Sequence, residues 1–337
     1  MQLHFVPYSA AGNRIGVAYY PRFFDTQEFV RNYALRKDLM TLARANDCDT
    51  VMVLMKTNGG ACSLQTIVFE PNSENEYGAF STMCGNGMRA IAAYARGYLH
   101  LADSPLMVMT RSGALGVEQV ADGMYRVRMG NIVTGKNALR AYANPSHIGT
   151  ISEWEDAPIP SVMQPDVSGL PFADGKQAWS IGFNTSEHDP KLMDGEPHLV
   201  MELDGNAVRD IDALRSITLA YGPAISMNRE LFPQDINVNF IAAHPADAHA
   251  FFICTFERNL GSNPEKCITQ ACGTGSAFAG ALRMKKTGLS AVSAVCLGGT
   301  LLVEHRGDAI YLSGNVVRLG EAVEIKSHDA LPVSALS

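Results

Sequence analysis

Two cysteines carry the chemistry open to this sequence. Cys84 stands in Met83-Cys84-Gly85-Asn86-Gly87 and Cys272 in Ala271-Cys272-Gly273-Thr274-Gly275. Each is followed by Gly-x-Gly and then by an apolar, alanine-rich run, 88–98 and 276–284, that reads as a helix. A cysteine at a helix start sits among unpaired backbone N–H groups at the positive end of the dipole. Such groups lower a thiol pKa and bind an anion such as a carboxylate. The glycines let the backbone approach a ligand closely. Two thiols facing each other across a cleft suit inversion at a carbon acid. One, as thiolate, removes the Cα proton from one face; the other, as thiol, delivers a proton from the opposite face. In the reverse direction the roles exchange, so both positions need the same residue. The Cα–H is far less acidic than a thiol, so fixed donors must stabilise the developing enolate. Gly85-Asn86 and Gly273-Thr274 supply them.

A lone Cys-Gly is ordinarily packing or a tight turn; repetition argues otherwise. After the first cysteine come Ser112-Gly113-Ala114-Leu115-Gly116-Val117-Glu118, Tyr125 and Met129-Gly130-Asn131. After the second come Gly298-Gly299-Thr300-Leu301-Leu302-Val303-Glu304, Tyr311 and Ser313-Gly314-Asn315. The cysteines are 188 positions apart, and Gly113/Gly299 and Tyr125/Tyr311 are each 186 apart. A shared offset predicts two structural copies, with the helix starts meeting at their interface, where small-molecule sites usually lie.

The elements that must position these residues follow from the pattern. Strands are expected over 3–7 and 15–20 around a turn at 9–13, then a helix over 26–45 with Asp25 or Thr26 as N-cap. Strands over 49–55 and 64–70 follow, with Gly59-Gly60 as the turn between them and 71–77 as a polar connection. After the first helix come strands near 106–110, 114–120 and 124–129. Residues 142–178, rich in Pro, Ser, Asp and Gly, read mainly as loop. A strand over 199–203, a helix over 210–222 ending at Gly222-Pro223, and strands over 236–242 and 249–257 lead through the turn-rich 261–267 into the second motif. Closing strands are expected at 300–305, 309–312 and 322–326. Length suggests two domains: 1–130 plus 316–337 carrying Cys84, and 131–315 carrying Cys272.

Composition narrows the class. A net charge of −7 without a basic run argues against nucleic acid. No stretch approaches a membrane span, and the N-terminus lacks a signal-peptide pattern, so a cytoplasmic protein is expected. Seven cysteines, an odd number without regular spacing, argue against a disulfide framework. Cys267 and Cys272 are poorly spaced for zinc. No dinucleotide, phosphate-loop or His-Glu-x-x-His motif appears, and nothing calls for a cofactor or metal. The expected partner is a small-molecule substrate; a homodimer is left open.

Cys84-Gly85-Asn86-Gly87 opening a helix, with Ala271-Cys272-Gly273-Thr274-Gly275 in the second half, resembles the paired signatures of the diaminopimelate epimerase family. Gly12-Asn13, Tyr221-Gly222-Pro223, the run from Phe232-Pro233 to Ile236-Asn237-Val238, Phe256-Glu257-Arg258 and Gly298-Gly299 extend the resemblance along most of the chain. It implies an α+β fold of two pseudo-symmetric halves, each with antiparallel strands wrapped around a central helix. It also implies cofactor-independent racemisation or epimerisation of an amino acid, with Cys84 and Cys272 as the acid/base pair. By the same resemblance Asn13, Gly85, Asn86, Gly273 and Thr274 surround the reacting centre, and Asn237, Glu257 and Arg258 lie towards the far end of the substrate.

Departures from the pattern bear on the substrate. The family's Gly-Asn-Pro-His is Gly195-Glu196-Pro197-His198 here, its Phe-Asn before the first cysteine is Phe69-Glu70, and its Gly-Asn-Asp is Gly12-Asn13-Arg14. Residues 142–185 and 262–267 look like insertions. Glu196 and Glu70 put negative charge where the family has neutral amides, which favours a distal cation such as that of lysine, ornithine, arginine or histidine. Arg258 is retained and suits a carboxylate, so diaminopimelate stays the alternative substrate. A non-catalytic amino-acid binder and a redox-sensing dithiol are the alternatives of other classes.

Overall fold

The computed structural model describes the chain except for residues 1, 22, 24, 58–61, 74, 102–103, 136–137, 139–141, 145–156, 159–162, 164–165, 176, 186–195, 259–262 and 327–337. The turn expected at Gly59-Gly60, and much of the loop expected over 142–178, lie outside the described residues.

The chain opens with a hairpin, β1 (Gln2–Ala10) and β2 (Asn13–Tyr20). Its turn is tighter than expected: Ala11 and Gly12 both take positive φ, 51° and 87°, the two-residue geometry that matches the twist of paired strands. The single helix expected over 26–45 is two, α1 (Thr26–Arg31) and α2 (Tyr33–Ala45). Asn32 ends the first and caps the second, its side chain accepting from the Leu35 N–H. Amphipathic spacing alone does not reveal such a break, because the apolar face continues through it.

Four short units then build the mixed sheet. Strands β3 (Thr50–Lys56) and β4 (Leu64–Glu70) form a hairpin, and β5 (Ala79–Ser81) adds to the edge of β4. Helix α3 (Gly85–Tyr98) leads into β6 (Leu106–Thr110), β7 (Gly113–Ala121) and β8 (Met124–Thr134). The two-residue β9 (Ala157–Pro158), then β10 (Ala178–Thr185) and β11 (His198–Leu203), precede α4 (Ile211–Ser226), β12 (Asn237–Ala243) and β13 (Ala250–Phe256). Helix α5 (Gly273–Thr287) leads into β14 (Ala291–Cys296), β15 (Gly299–Arg306), β16 (Ala309–Arg318) and β17 (Val323–Lys326).

The helix-then-strands order after α3 recurs after α5. The sheet is not purely antiparallel, however: β2–β3, β4–β6, β11–β12 and β13–β14 are parallel pairs. Each spans a helical connection, α1–α2, α3, α4 and α5 respectively, as a crossover between parallel strands requires. Strand β16 pairs with β8 and β1, and β17 with β1.

Four strands went unread in the sequence, the two-residue β9 among them. β5 and β10 lie in polar or Pro- and Gly-rich surroundings. β14 (Ala-Val-Ser-Ala-Val-Cys) alternates buried and half-buried residues, but its side chains are small. Helix α4 also runs past the expected stop, with Pro223 inside it. Proline removes one N–H from the ladder, but Gly222 is pressed against Phe256, where a Cβ would come within 2.8 Å, and Met227 N–H resumes the bonding to Pro223 O at 3.0 Å.

Helices α3 and α5 form the centre of the main core. Met88, Ala90, Ile91, Tyr94 and Ala95 of α3 and Ala277, Phe278 and Ala279 of α5 are buried in one cluster with Val127, Val303 and Leu312 from the strands. Alanine at half of these inward positions lets strands pass close to both helices.

Candidate active site

The helix starts meet. Cys84 is the N-cap of α3 and its Sγ accepts from Gly87 N–H at 3.3 Å; Cys272 caps α5 and accepts from Gly275 N–H at 3.4 Å. A Cβ on Gly273 would lie 3.4 Å from Gly85 Cα and 3.7 Å from the Asn86 nitrogen. A Cβ there would just touch the facing helix start, so the two helix ends lie in van der Waals contact. Both positive dipole ends thus converge on one cavity of ≈ 190 Å³, which Cys84, Gly85, Asn86, Cys272, Gly273 and Thr274 all line.

The remaining residues singled out in the sequence line the same cavity: Asn13, Glu70, Glu196, Asn237, Glu257 and Arg258. Asn13 and Asn86 share one task. Both side-chain amides donate to the Ala271 carbonyl, while Asn13 Oδ1 accepts from Thr269 Oγ1 at 2.9 Å and from Gln270 N–H at 3.1 Å. They tie the turn between β1 and β2, and the start of α3, to the peptide preceding Cys272. Asn237 Oδ1 accepts from Arg258 N–H at 2.9 Å.

Arg258 is committed within the protein. Its Nη2 pairs with Glu196 at 3.2 Å, and Nη1 donates to the carbonyls of Gln234 and Asp235. Among the described residues Glu70 has no such cation. Its two carboxylate oxygens accept from Ser81 Oγ at 3.0 Å and Thr50 Oγ1 at 3.2 Å.

Sequence reading missed His198 as a site residue. It is fully buried, with Nε2 2.8 Å from Thr274 Oγ1 and Nδ1 3.1 Å from Asn239 Nδ2. Asn239 Nδ2 also donates to Leu199 O, and its Oδ1 accepts from Thr255, so Nδ1 is the acceptor and Nε2 carries the proton. Burial pushes the imidazole down to about 3, keeping it neutral. The Thr274 hydroxyl, receiving from His198, is left to donate to Cys272 Sγ, 3.5 Å away. The only signal in the sequence was its place after Glu196-Pro197; a lone histidine beside a strand ordinarily reads as core. Thr50, Phe80 and Ser81 also line the cavity without any motif to mark them.

No protein-family model matches the chain. Curated relatives do. A diaminopimelate epimerase of Carboxydothermus hydrogenoformans is 29% identical over 243 residues, 71% of this chain and 72% of that protein. One of Sphingopyxis alaskensis is 28% identical over 291 residues, 83% of this chain and 86% of that protein. Among solved structures, a hydroxyproline epimerase from Agrobacterium vitis superposes with a TM-score of 0.59 at 12% identity, covering 96% of this chain and 92% of that one. The protein is an isomerase of the racemase and epimerase kind, with the diaminopimelate epimerase-like α+β fold.

The candidate site desolvates its thiols more than a helix N-terminus alone suggests. Burial pushes the Cys84 thiol up to about 12, with Glu70 adding to the rise and Gly87 N–H opposing it. Burial and then Glu257 push Cys272 well up. The sequence expectation of a lowered thiol pKa is therefore corrected for the ligand-free site: desolvation outweighs the backbone donors. Glu257 is pushed up to about 7 by burial and hydrogen-bonds the Cys272 thiol. Glu70 is pushed up to about 8 by burial, with Glu257 adding to the rise. A cation entering this pocket would draw both carboxyls and both thiols towards their charged forms. Among the described residues no three His, Cys, Asp or Glu side chains cluster as metal ligands would, and no helix is long and apolar enough to cross a membrane.

Proposed function

We propose that the enzyme inverts the Cα configuration of an amino acid with a cationic side chain, by proton transfer between two thiols and without pyridoxal phosphate. Cys84 and Cys272 act from opposite faces. The backbone N–H groups of Gly85, Asn86, Gly273 and Thr274 hold the α-carboxylate and take up the charge that develops on it. The incoming α-ammonium offsets the negative charge around Glu257, which lowers the cost of a thiolate in the closed pocket. Thr274, fed by His198, donates to Cys272 when that sulfur is ionised.

One observation carries the substrate class: Arg258 is already neutralised by Glu196, while among the described residues the half-buried Glu70 has only hydroxyls for partners. The net demand of the distal pocket is for positive charge. A second reading, diaminopimelate, is supported by the names of the curated relatives and by Arg258 Nε, which is buried and unpartnered and could donate to a distal carboxylate.

A screen of amino acids for Cα deuterium uptake from solvent separates the two. Exchange of lysine, ornithine, arginine or histidine is expected. Efficient exchange of LL-diaminopimelate, with none for the basic amino acids, would overturn the substrate class and leave the two-thiol chemistry standing.

A further inference from the structure

The cavity at the helix starts is small for a substrate site, ≈ 190 Å³ against the roughly 300–1,000 Å³ of ordinary small-molecule pockets. It does not end where the cysteine motifs end. A second chamber of ≈ 460 Å³ adjoins it, and Asn13, Asp49, Thr50, Glu70, Glu257 and Thr269 line both. The helix starts with their thiols, and the Glu196–Arg258 pair, line the first cavity alone; Arg44, Asp47 and Lys266 line the second alone. A substrate whose α-carboxylate sits at the helix starts therefore has two directions open to its side chain. One leads to Arg258, the other past Glu70 into the second chamber.

The first direction offers a cation nothing, because Glu196 is already held by Arg258 at 3.2 Å. The neck between the two cavities offers the reverse. Its neutral groups are spent locally: Asn13 Oδ1 takes the Thr269 hydroxyl at 2.9 Å, and the Thr50 hydroxyl goes to Glu70 at 3.2 Å. Its charged side chains are Asp49, Glu70 and Glu257, and no lysine or arginine lines both cavities. Asp49 is the least committed of the three. It is exposed, and its Oδ2 accepts the Arg14 backbone N–H at 2.8 Å. The Arg14 guanidinium is used elsewhere, on Asn46 O at 2.8 and 3.1 Å and on Asp47 at 3.7 Å. Arg44 and Lys266, exposed on the walls of the second chamber, repel a cation that would pass beyond the neck.

We propose that Asp49 is a specificity-determining residue: the substrate's side chain runs past Glu70 into the neck of the second chamber, and its cationic end rests against Asp49. The arrangement selects for length. A short basic side chain stays inside the first cavity with Glu70; one as long as lysine or arginine brings its charge to the neck. Lysine and arginine are then preferred over ornithine, and ornithine over 2,4-diaminobutyrate and 2,3-diaminopropionate.

The inference rests on the cationic reading of the substrate, but its test needs no turnover. The full chain is titrated calorimetrically with those five amino acids. Affinity is expected to rise along the series from 2,3-diaminopropionate to lysine and arginine. Asp49→Asn keeps an acceptor for the Arg14 N–H and so preserves the turn at the start of β3. It should weaken lysine and arginine about fivefold, the scale of an exposed ion pair, and 2,3-diaminopropionate by less than about twofold. A carboxylate that merely holds the turn would leave every affinity unchanged. Equal affinities along the series, or an Asp49→Asn protein of native circular dichroism that weakens short and long ligands alike or neither, would overturn the proposal and leave the cationic reading standing. No binding of any of the five would overturn both. Binding in the expected order by a protein that exchanges no Cα proton would remove the racemase reading and keep this one. If Asp49→Asn does not fold, the series on the unmodified chain decides.

Discussion

At the residue scale, the distal pocket is decided by which charges are already spent. Glu196 and Arg258 neutralise one another at 3.2 Å, so neither alone selects the substrate. Glu70, pushed up to about 8 by burial, is largely neutral below that pH and anionic above it. A cationic side chain binds the anionic form, so the affinity for a basic amino acid should strengthen as pH rises towards about 8 and then level off. Glu70→Gln should remove that dependence and raise KM about tenfold, equivalent to about 1.4 kcal/mol, with a smaller change in kcat. Steady-state kinetics on a basic amino acid against pH check this; an unaltered KM would show that the side chain lies elsewhere. Both cysteines, both neighbouring Gly-x-Gly stretches and Glu70 were legible as sequence. His198 and Asp49 were not. A histidine whose task is to aim a hydroxyl, and an aspartate on the wall shared by two cavities, follow no spacing rule, and only the folded chain distinguishes them.

At the element scale, the starts of α1, α3, α4 and α5 were legible because their caps are written locally, whereas the start of α2 at Asn32 was not. Asp210 caps α4 by accepting from Ala213 N–H, and the cysteines cap α3 and α5 in the same way. Strand β5 was not legible, because what holds it comes from far along the chain. Arg36 of α2, buried, donates to the carbonyls of Val30, Tyr77 and Gly78, and its guanidinium lies 4.9 Å from the Phe80 ring centroid. It latches the turn before β5, and so places Phe80 on the cavity wall and Ser81 on Glu70. Arg36→Met should destabilise the protein by about 2 kcal/mol through three lost charge-assisted bonds. It should also raise KM more than it lowers kcat, since the thiols are not touched. Thermal unfolding and steady-state kinetics test both; an unchanged KM would mean that β5 holds the wall unaided.

At the scale of the whole molecule, the repeat seen in the sequence corresponds to elements in the same order after each cysteine, and to helix ends that abut at Gly85 and Gly273. The parallel pairings could not be read from local pattern, since a continuous apolar run marks a strand buried on both faces whatever its direction, and only the helical connections between strands decide. We propose that residues 1–130 with 316–337 form one half and 131–315 the other, each contributing one thiol to the cavity. The most direct test of that central claim is solvent deuterium entering Cα of a substrate amino acid, followed for the native enzyme and for Cys84→Ala and Cys272→Ala at matched circular dichroism. The account predicts uptake coupled to inversion by the native enzyme, with inversion abolished in both variants. Full inversion surviving in either variant would contradict it.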